Sequence, residues 1–334
     1  MTARLSEQVL PTWDGVLPPW PGVETDGLFV RRTPAAGGEP ALFVHGLGGG
    51  STNWTDLMGL LAGQVDGEAL DLPGFGRSQP PRGGDFSLDH QVRTVVQYLQ
   101  RRARGPVHLF GNSLGGAVST RLAAQRPDLV KTLTLISPAL PNLRPKRGSD
   151  PRLPLLLIPG ISTLASRALA KRTAEERARA VLALCFADLS RIPQERIDEA
   201  VAEVVRRDGL PYAGAAFVGA LRGLIGSYLE VGSRSLWRQA ATVQAPTLLI
   251  WGDQDKLVDV ALAPRAHRTF PDSRLLVLPD TGHVAQLERA HVVAAAFLGL
   301  HEDLGARAAR SDAARSDAAR LDVAGQDAKK ADLL

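Results

Sequence analysis

The most constraining feature of this chain is a serine between two glycines, where a predicted strand passes into a predicted helix. The apolar run Val107–Phe110 predicts a buried strand and leads directly into Gly111-Asn112-Ser113-Leu114-Gly115. A helix is predicted from Leu114 to Gln125. Such a tight reversal brings together the positions two before and two after the serine, and glycine avoids their clash. The turn therefore predicts a Ser113 hydroxyl exposed at the end of a sheet, with a phosphate-binding turn or a buried structural serine as alternatives.

Strand and helix patterns alternate along most of the chain. Strands are predicted at Gly27–Arg32, Ala41–Val44, Glu68–Leu72, Val107–Phe110, Val130–Ile136, Thr247–Trp251 and Arg274–Leu278. Helical patterns separate them, among them Thr55–Gly63, Ser87–Arg102 and Glu288–Leu300. This alternation predicts an α/β fold with a mostly parallel sheet and helices on both of its faces.

The alternation is interrupted between residues 139 and 245, where the pattern is almost entirely helical. Helices are predicted at Ile161–Lys171, Ala174–Phe186, Pro193–Arg207 and Tyr212–Gly223. We therefore predict a core formed by residues 25–138 and 246–300, with a helical cap or lid over residues 139–245. Residues 1–24 are predicted to be an N-terminal extension that lies on the surface.

The C-terminal residues 301–334 differ in composition from the rest of the chain. Ala-Arg-Ser-Asp-Ala occurs at 309–313 and again at 314–318, and large apolar residues are scarce. Such a segment cannot bury a core of its own. We predict a low-complexity tail that is disordered or weakly helical and has no catalytic role.

Charge, apolar runs and cysteine content narrow the class of protein. The 334 residues hold 39 Lys and Arg against 35 Asp and Glu, a net charge of +4, without the dense basic stripe of a nucleic-acid binder. No apolar run of about 18 residues predicts a transmembrane helix, and no secretory signal is recognised. One cysteine cannot form an internal disulfide or a thiolate metal site. We expect a cytoplasmic protein that acts on a small molecule without a metal or organic cofactor; the oligomeric state stays open.

A glycine-rich run, His45-Gly46-Leu47-Gly48-Gly49-Gly50, follows the strand Ala41–Val44. Glycine lets this main chain approach the serine turn closely. A phosphate-binding loop is the alternative, but the run lacks the Gly-Lys-Ser/Thr of a P-loop and the G-x-G-x-x-G order of a dinucleotide site. We expect His45 to support the turn structurally.

The acid and base candidates follow the last two predicted strands. Among seven histidines, His283 alone lies on a loop after a strand with a glycine partner, in Thr281-Gly282-His283. The preceding strand ends in Gly252-Asp253-Gln254-Asp255, which offers two carboxylates. We favour Asp255, which lies far enough into the loop to reach the histidine, while Asp253 is suited to capping the turn.

Together these motifs and Asp71-Leu72-Pro73-Gly74-Phe75-Gly76-Arg77-Ser78 resemble the α/β-hydrolase family over roughly residues 25–300. The chain order Ser113, Asp255, His283 is also that of the family. The resemblance implies an eight-stranded sheet, a helical cap over Ser113, and acyl transfer in which His283 is the base and Asp255 orients it. It also implies that the N–H groups of Leu47 and Leu114 donate to the developing oxyanion.

Within the family, the serine turn and Gly282–Glu288 are similar to those of carbon–carbon hydrolases that cleave meta-cleavage products of aromatic rings. Val284 stands where those enzymes tend to carry Trp. Similar turns occur in esterases and monoacylglycerol-type lipases. The function favoured here is hydrolysis of a carboxylic ester with an apolar acyl or aromatic group. Carbon–carbon hydrolysis is one alternative, and a non-catalytic ligand-binding module of the same fold is another.

Four residues are candidates for binding the substrate. Asn53 and Trp54 follow the glycine-rich run, with packing as an equal alternative for both. Trp237 lies near the end of the predicted cap, and Val284 follows the predicted base.

Overall fold

The structure is a computed structural model that describes residues 2–12, 20–33, 37–142 and 172–331, with side chains through residue 311. The predicted helix Ile161–Lys171 lies outside the described residues. No helix among those described is apolar over a length that would cross a membrane.

A single eight-stranded sheet forms the centre of the molecule. Its strands are β1 (Gly22–Thr25), β2 (Leu28–Arg32), β3 (Glu39–Val44), β4 (Val65–Leu70), β5 (Val107–Asn112), β6 (Val130–Ile136), β7 (Thr247–Gly252) and β8 (Ser273–Leu278). Their order is β1-β2-β4-β3-β5-β6-β7-β8. β1 and β2 pair antiparallel, as do β2 and β4, and all other pairs are parallel. The mostly parallel, eight-stranded sheet expected from the sequence is confirmed.

The strand order reverses direction between β3 and β5. From β3 the chain passes to β4 on one side, and then crosses to β5 on the other. Ligands of open α/β sheets bind at such a switch point, beyond the carboxyl ends of the strands. The topology therefore places the loop after β3 beside the serine turn after β5.

Helices cover both faces of this sheet. Within the described residues they are α1 (Thr55–Leu60), α2 (Leu88–Arg102), α3 (Leu114–Gln125), α4 (Ala174–Cys185), α5 (Gln194–Asp208), α6 (Ala213–Tyr228), α7 (Leu236–Ala240), α8 (Ala263–Thr269), α9 (Ala285–Glu288) and α10 (Ala290–Ala331). α2 begins as its sequence predicts, because the Ser87 side chain accepts a hydrogen bond from His90 N at 3.2 Å. Two apolar cores result, one with α2 and α3 and one with α1 and α10.

The edge strand β1 is not among the predicted strands. It is only four residues long and largely exposed, so its sequence has no apolar run. The sheet therefore begins at Gly22, inside the predicted N-terminal extension of residues 1–24. Upstream, Ala3 N donates to Leu275 O at 3.1 Å and Ser6 N to Ala295 O at 2.9 Å, which fixes this segment on β8 and α10.

The C-terminal helix α10 continues past the predicted end at Leu300. It runs to Ala331, through the repeated Ala-Arg-Ser-Asp-Ala segment. Alanine has the highest helix propensity and the segment contains no proline, so its composition allows the helix to continue. Arg307 pairs with Asp272 at 3.2 Å, which joins the first part of the tail to the core.

Candidate active site

Ser113 lies at the sharp turn between β5 and α3. Its backbone adopts φ 53° and ψ −116°, a strained conformation for a residue with a side chain. A Cβ on Gly111 would lie 2.5 Å from Gly115 O, and a Cβ on Gly115 would lie 2.1 Å from Val44 O. The two glycines are therefore required by the turn itself, as the sequence predicts.

Gly115→Ala is expected to destabilise the fold by at least about 3 kcal/mol and to abolish activity, because the new methyl group meets backbone atoms of β3. The free energy of unfolding in urea measures the effect. Gly226→Ala is the matched control, since Gly226 lies in the last turn of α6 and a Cβ there meets nothing within 4 Å. The control should be stabilised by less than about 1 kcal/mol. Equal stabilities of the two variants would contradict this account of the turn.

His283 and Asp255 form a buried pair at the same edge of the sheet. His283 Nδ1 lies 2.9 Å from Asp255 Oδ2, and the residues are 4% and 1% exposed. Asp255 Oδ1 accepts hydrogen bonds from Leu257 N at 2.8 Å and Val258 N at 2.9 Å. The carboxylate is thus oriented by its own loop and faces the imidazole. Asp253 instead accepts a bond from Thr281 N at 3.5 Å, so it lies in the turn between the two loops.

The environment of Asp255 keeps its carboxylate ionised. Burial by itself raises the pKa of Asp255, but His283 and the N–H of Val258 outweigh it and hold the pKa below its ordinary value. An ionised acceptor at Nδ1 requires that this nitrogen carry the proton, which leaves Nε2 of a neutral imidazole as the basic atom.

Asn112 connects two loops: the serine turn and the loop of residues 281–284, which holds the predicted base His283 and is called the base loop below. Its side-chain nitrogen donates to His283 O at 3.1 Å and to Ile136 O at 3.0 Å. The backbone of His283 is therefore fixed beside the residue that precedes Ser113. Within the described residues, neither Ser113 Oγ nor His283 Nε2 makes a hydrogen bond. Catalytic hydrogen bonds are often long without a ligand, so this geometry is compatible with a serine–histidine pair.

The glycine-rich loop after β3 approaches the serine closely. A Cβ on Gly46 would lie 3.1 Å from Ser113 Cβ, so only glycine fits without displacing the turn. In the described part of the chain no hydrogen bond occupies the N–H of Leu47 or of Leu114. Two donors are thus available beside the Ser113 hydroxyl.

His45 supports this loop from below. It is fully buried, its Nε2 accepts from Leu72 N at 2.9 Å, and its Nδ1 donates to Gly46 O at 2.7 Å. Burial lowers its pKa, in agreement with a neutral ring that has one donor and one acceptor. Both nitrogens are used by the backbone, which leaves His45 in a structural position, as expected.

Helices between β6 and β7 lie against these loops. Arg207 Nη1 on α5 donates to Gly48 O at 3.4 Å, and a Cβ on Gly48 would lie 3.3 Å from the Phe217 ring on α6. On the other side, His283 N donates to Cys185 O at 2.7 Å. The helical segment therefore contacts both the glycine-rich loop and the base loop.

Glu199 on α5 is a carboxyl group whose raised pKa makes the stability of the fold depend on pH. Burial raises the pKa of Glu199 to about 7, although Arg196 nearby lowers it. Because the folded state then binds more protons than the unfolded state between about pH 4.5 and 7, stability falls as pH rises through that window.

Glu199→Gln should remove this loss, since the amide stays neutral. We expect the variant to match the parent near pH 4, below the unfolded pKa, and to exceed its unfolding free energy by about 1–3 kcal/mol at pH 8. Urea unfolding at both pH values measures it, with Glu195→Gln on the first turn of the same helix as the control. A constant difference between parent and variant across the two pH values would contradict the assignment.

The four candidate substrate-binding residues occupy different environments. Trp54 is fully buried and packs against Phe43 and Phe110 in the core, which favours the packing alternative. Asn53 Oδ1 accepts from Gly50 N at 3.1 Å and so holds the glycine-rich loop. Trp237 Nε1 donates to Pro141 O at 2.9 Å.

The Arg265 guanidinium lies 3.9 Å from the centre of the Trp237 ring. The two contacts of Trp237 therefore join α7 to the segment that follows β6 and to α8. Val284 is buried in a small cluster with Phe186 and Ile197. That cluster joins the base loop to α4 and α5.

Glu288 is a supporting residue that sequence reasoning missed. Its buried side chain accepts from Gly282 N at 2.8 Å and from Ala187 N at 3.2 Å, which fixes the glycine before the base. Its position in the short helix α9, directly after His283, is the one sequence feature that could have indicated this role. Acidic residues are common near helix starts, so that feature alone does not identify a supporting residue.

A separate polar cavity of about 280 Å³ lies outside this site. It surrounds the buried Arg121, which pairs with Asp89 at 2.6 Å and also with Glu230. Its lining residues are Asp89, Arg93, Arg121, Gln125, Arg234 and Gln239. The lining is accounted for by ion pairs and includes no residue of the serine, histidine and aspartate set.

Comparison with known proteins identifies the family. Residues 40–290 match the sequence profile of the alpha/beta hydrolase fold. Since this match covers most of the chain, the protein belongs to the α/β-hydrolase family.

Individual relatives are distant and chemically diverse. The chain is 29% identical over 269 residues to the dihydrolipoyllysine-residue acetyltransferase component of the acetoin cleaving system of Cupriavidus necator, covering 80% of this chain but only 65% of that protein. It is 27% identical to Lipase 1 of Psychrobacter immobilis, covering 79% of this chain and 77% of the lipase. The solved meta-cleavage product hydrolase of Pseudomonas fluorescens is similar in fold, with a TM-score of 0.67, 18% identity and coverage of 85% and 98%.

Proposed function

We propose that this protein is a serine hydrolase that cleaves carboxylic esters through an acyl-enzyme. The observation that carries the proposal is the buried pair of His283 and Asp255, joined at 2.9 Å and fixed beside the strained turn that presents Ser113. The hydrogen bond from the Asn112 side chain to His283 O joins these two loops. Similarity to a lipase over most of both chains supports the same class of chemistry.

The mechanism follows from the positions of these groups. His283 Nε2 takes the proton of Ser113 as its oxygen attacks the ester carbonyl, and the N–H groups of Leu47 and Leu114 stabilise the oxyanion. His283 then protonates the leaving alcohol, and water hydrolyses the acyl-enzyme by the same steps in reverse. Asp255 stays ionised throughout and stabilises the imidazolium. The chemistry requires no metal or organic cofactor.

The helices between β6 and β7 act as the cap in this proposal. They approach the glycine-rich loop through Phe217 and the base loop through Cys185, so they bound the space above Ser113. An aromatic ring over the loop favours an ester with an apolar acyl or aromatic group.

Two alternatives remain distinguishable by experiment. A carbon–carbon hydrolase would use the same triad on a vinylogous diketone, and the solved structure of such an enzyme shares the fold. A non-catalytic binding module would keep the fold and lose turnover; the buried pair of His283 and Asp255 beside the serine turn supports the catalytic alternative.

The test is hydrolysis of chromogenic p-nitrophenyl esters of increasing acyl length. We expect turnover of short or medium esters, and the chain-length profile then measures the acyl pocket. Failure on every ester would overturn the esterase proposal, and turnover of a meta-cleavage-type diketone by the same preparation would then establish the carbon–carbon alternative. Failure on both substrate classes would favour the binding module.

A further inference from the structure

A cluster of two histidines and one glutamate lies at the amino edge of the sheet, away from the serine turn. Glu39 begins β3, His108 is near the start of β5, and His301 lies on α10. One ligand atom from each residue lies within 4.8 Å of the other two. Since His108 and Ser113 are separated by most of β5, the cluster is about 16 Å from the serine turn.

Both imidazoles converge on the same carboxylate oxygen. His108 Nε2 lies 2.6 Å from Glu39 Oε2, and His301 Nε2 lies 3.3 Å from that atom. Ligands of tetrahedral zinc, bound at about 2.0–2.2 Å, are separated by about 3.4 Å. The His301 distance already matches this value, and the His108 distance would have to increase by less than about 1 Å.

The surroundings orient the His108 ring as a metal ligand would need. His108 Nδ1 lies 2.8 Å from Thr132 Oγ1 on the neighbouring strand β6. Without a metal ion, Nε2 donates to Glu39 and the Thr132 hydroxyl donates to Nδ1. When an ion takes the Nε2 position, the hydroxyl can rotate to accept the proton from Nδ1, which leaves the Nε2 lone pair for the ion. The Phe297 ring meets His108 edge-to-face at 5.1 Å and holds the ring plane.

Among the described contacts of the cluster, the ion pair of Glu39 with Lys131 opposes the binding of a cation. Lys131 pairs with Oε1 of Glu39 and thereby leaves Oε2 to the two imidazoles. His301 is about half exposed, with 46% of its side chain accessible, so an ion and completing water ligands can reach the cluster from solvent.

From this geometry we propose that Glu39, His108 and His301 bind a divalent transition metal such as Zn²⁺, with water in the open position. Two imidazoles and one carboxylate are a ligand set that zinc accepts. The ion would join the C-terminal helix α10 to the first residues of β3 and β5. Its role is structural, so it acts on stability and not on ester hydrolysis.

The test uses the full chain without a histidine tag, stripped with chelator and titrated with Zn²⁺ alone. We expect the Tm to rise by roughly 3 °C or more when free zinc is 100 times Kd, because the ion binds only the folded state. Co²⁺ substitution should give the intense visible bands of four-coordinate cobalt. Ester hydrolysis, or any other activity that is found, should not change.

His301→Ala should abolish both the Tm shift and the cobalt bands, since its exposed side chain can be truncated without disturbing the core. His291→Ala, on the same helix but outside the cluster, is the matched control and should keep both. Lys131→Met removes the competing cation and should tighten binding several-fold. A parent chain without a zinc response, equal responses in His301→Ala and His291→Ala, or weaker binding by Lys131→Met would each overturn the proposal.

Discussion

Ser113→Ala is expected to lower kcat for ester hydrolysis by about 10⁴-fold or more while leaving the fold intact. The proposed mechanism forms its covalent intermediate only through Ser113 Oγ, and within the described residues that atom makes no hydrogen bond that alanine would break. Activity would fall to the level that the oxyanion donors alone provide. Initial rates with the best p-nitrophenyl ester, normalised to folded protein by circular dichroism, measure the effect.

Ser119→Ala is the matched control, because it makes the same exchange six residues further on, within the helix α3 that follows Ser113. Ser119 is fully buried and its hydroxyl has no partner among the described residues, so its loss should change kcat by less than about twofold. If Ser113→Ala keeps more than about a tenth of the parent activity, Ser113 is not the nucleophile. A similar loss in both variants would instead indicate a general disturbance of α3.

The serine turn shows how much of a site sequence can predict. The turn depends on steric exclusion between residues close in the chain, and the glycines at 111 and 115 express that exclusion directly in the sequence. The same holds for β6 and α3, whose bounds Val130–Ile136 and Leu114–Gln125 agree with the predicted ones. Steric clashes and hydrophobic periodicity within one segment can be predicted from sequence, because every interacting group lies in that segment.

Contacts between distant segments cannot be predicted from the sequence in this way. Trp54 follows the glycine-rich loop in sequence, but packing against Phe43 and Phe110 takes it into the core. Nothing in the sequence near residue 54 identifies those two partners. The link from Asn112 to His283 O spans 171 residues, and the convergence of His108 and His301 on Glu39 joins three elements whose spacing follows no motif.

Asp255→Asn is expected to lower kcat by about 10⁴-fold with little change in stability. Asp255 Oδ1 accepts from two backbone N–H groups, so the asparagine amide must place its oxygen there and its NH₂ toward His283. A donor facing Nδ1 forces the imidazole proton onto Nε2, the atom that should accept the proton of Ser113. The positions of the side chains would be retained, but His283 would be in the tautomer that cannot accept the proton of Ser113.

Asp253→Asn distinguishes this account from the competing carboxylate of the same loop. Asp253 contacts Thr281 N at 3.5 Å and no hydrogen bond to His283 is present, so its variant should keep activity within a few-fold of the parent. Loss of activity in Asp253→Asn with retention in Asp255→Asn would reverse the assignment. Equal, small effects would show that neither carboxylate orients the base.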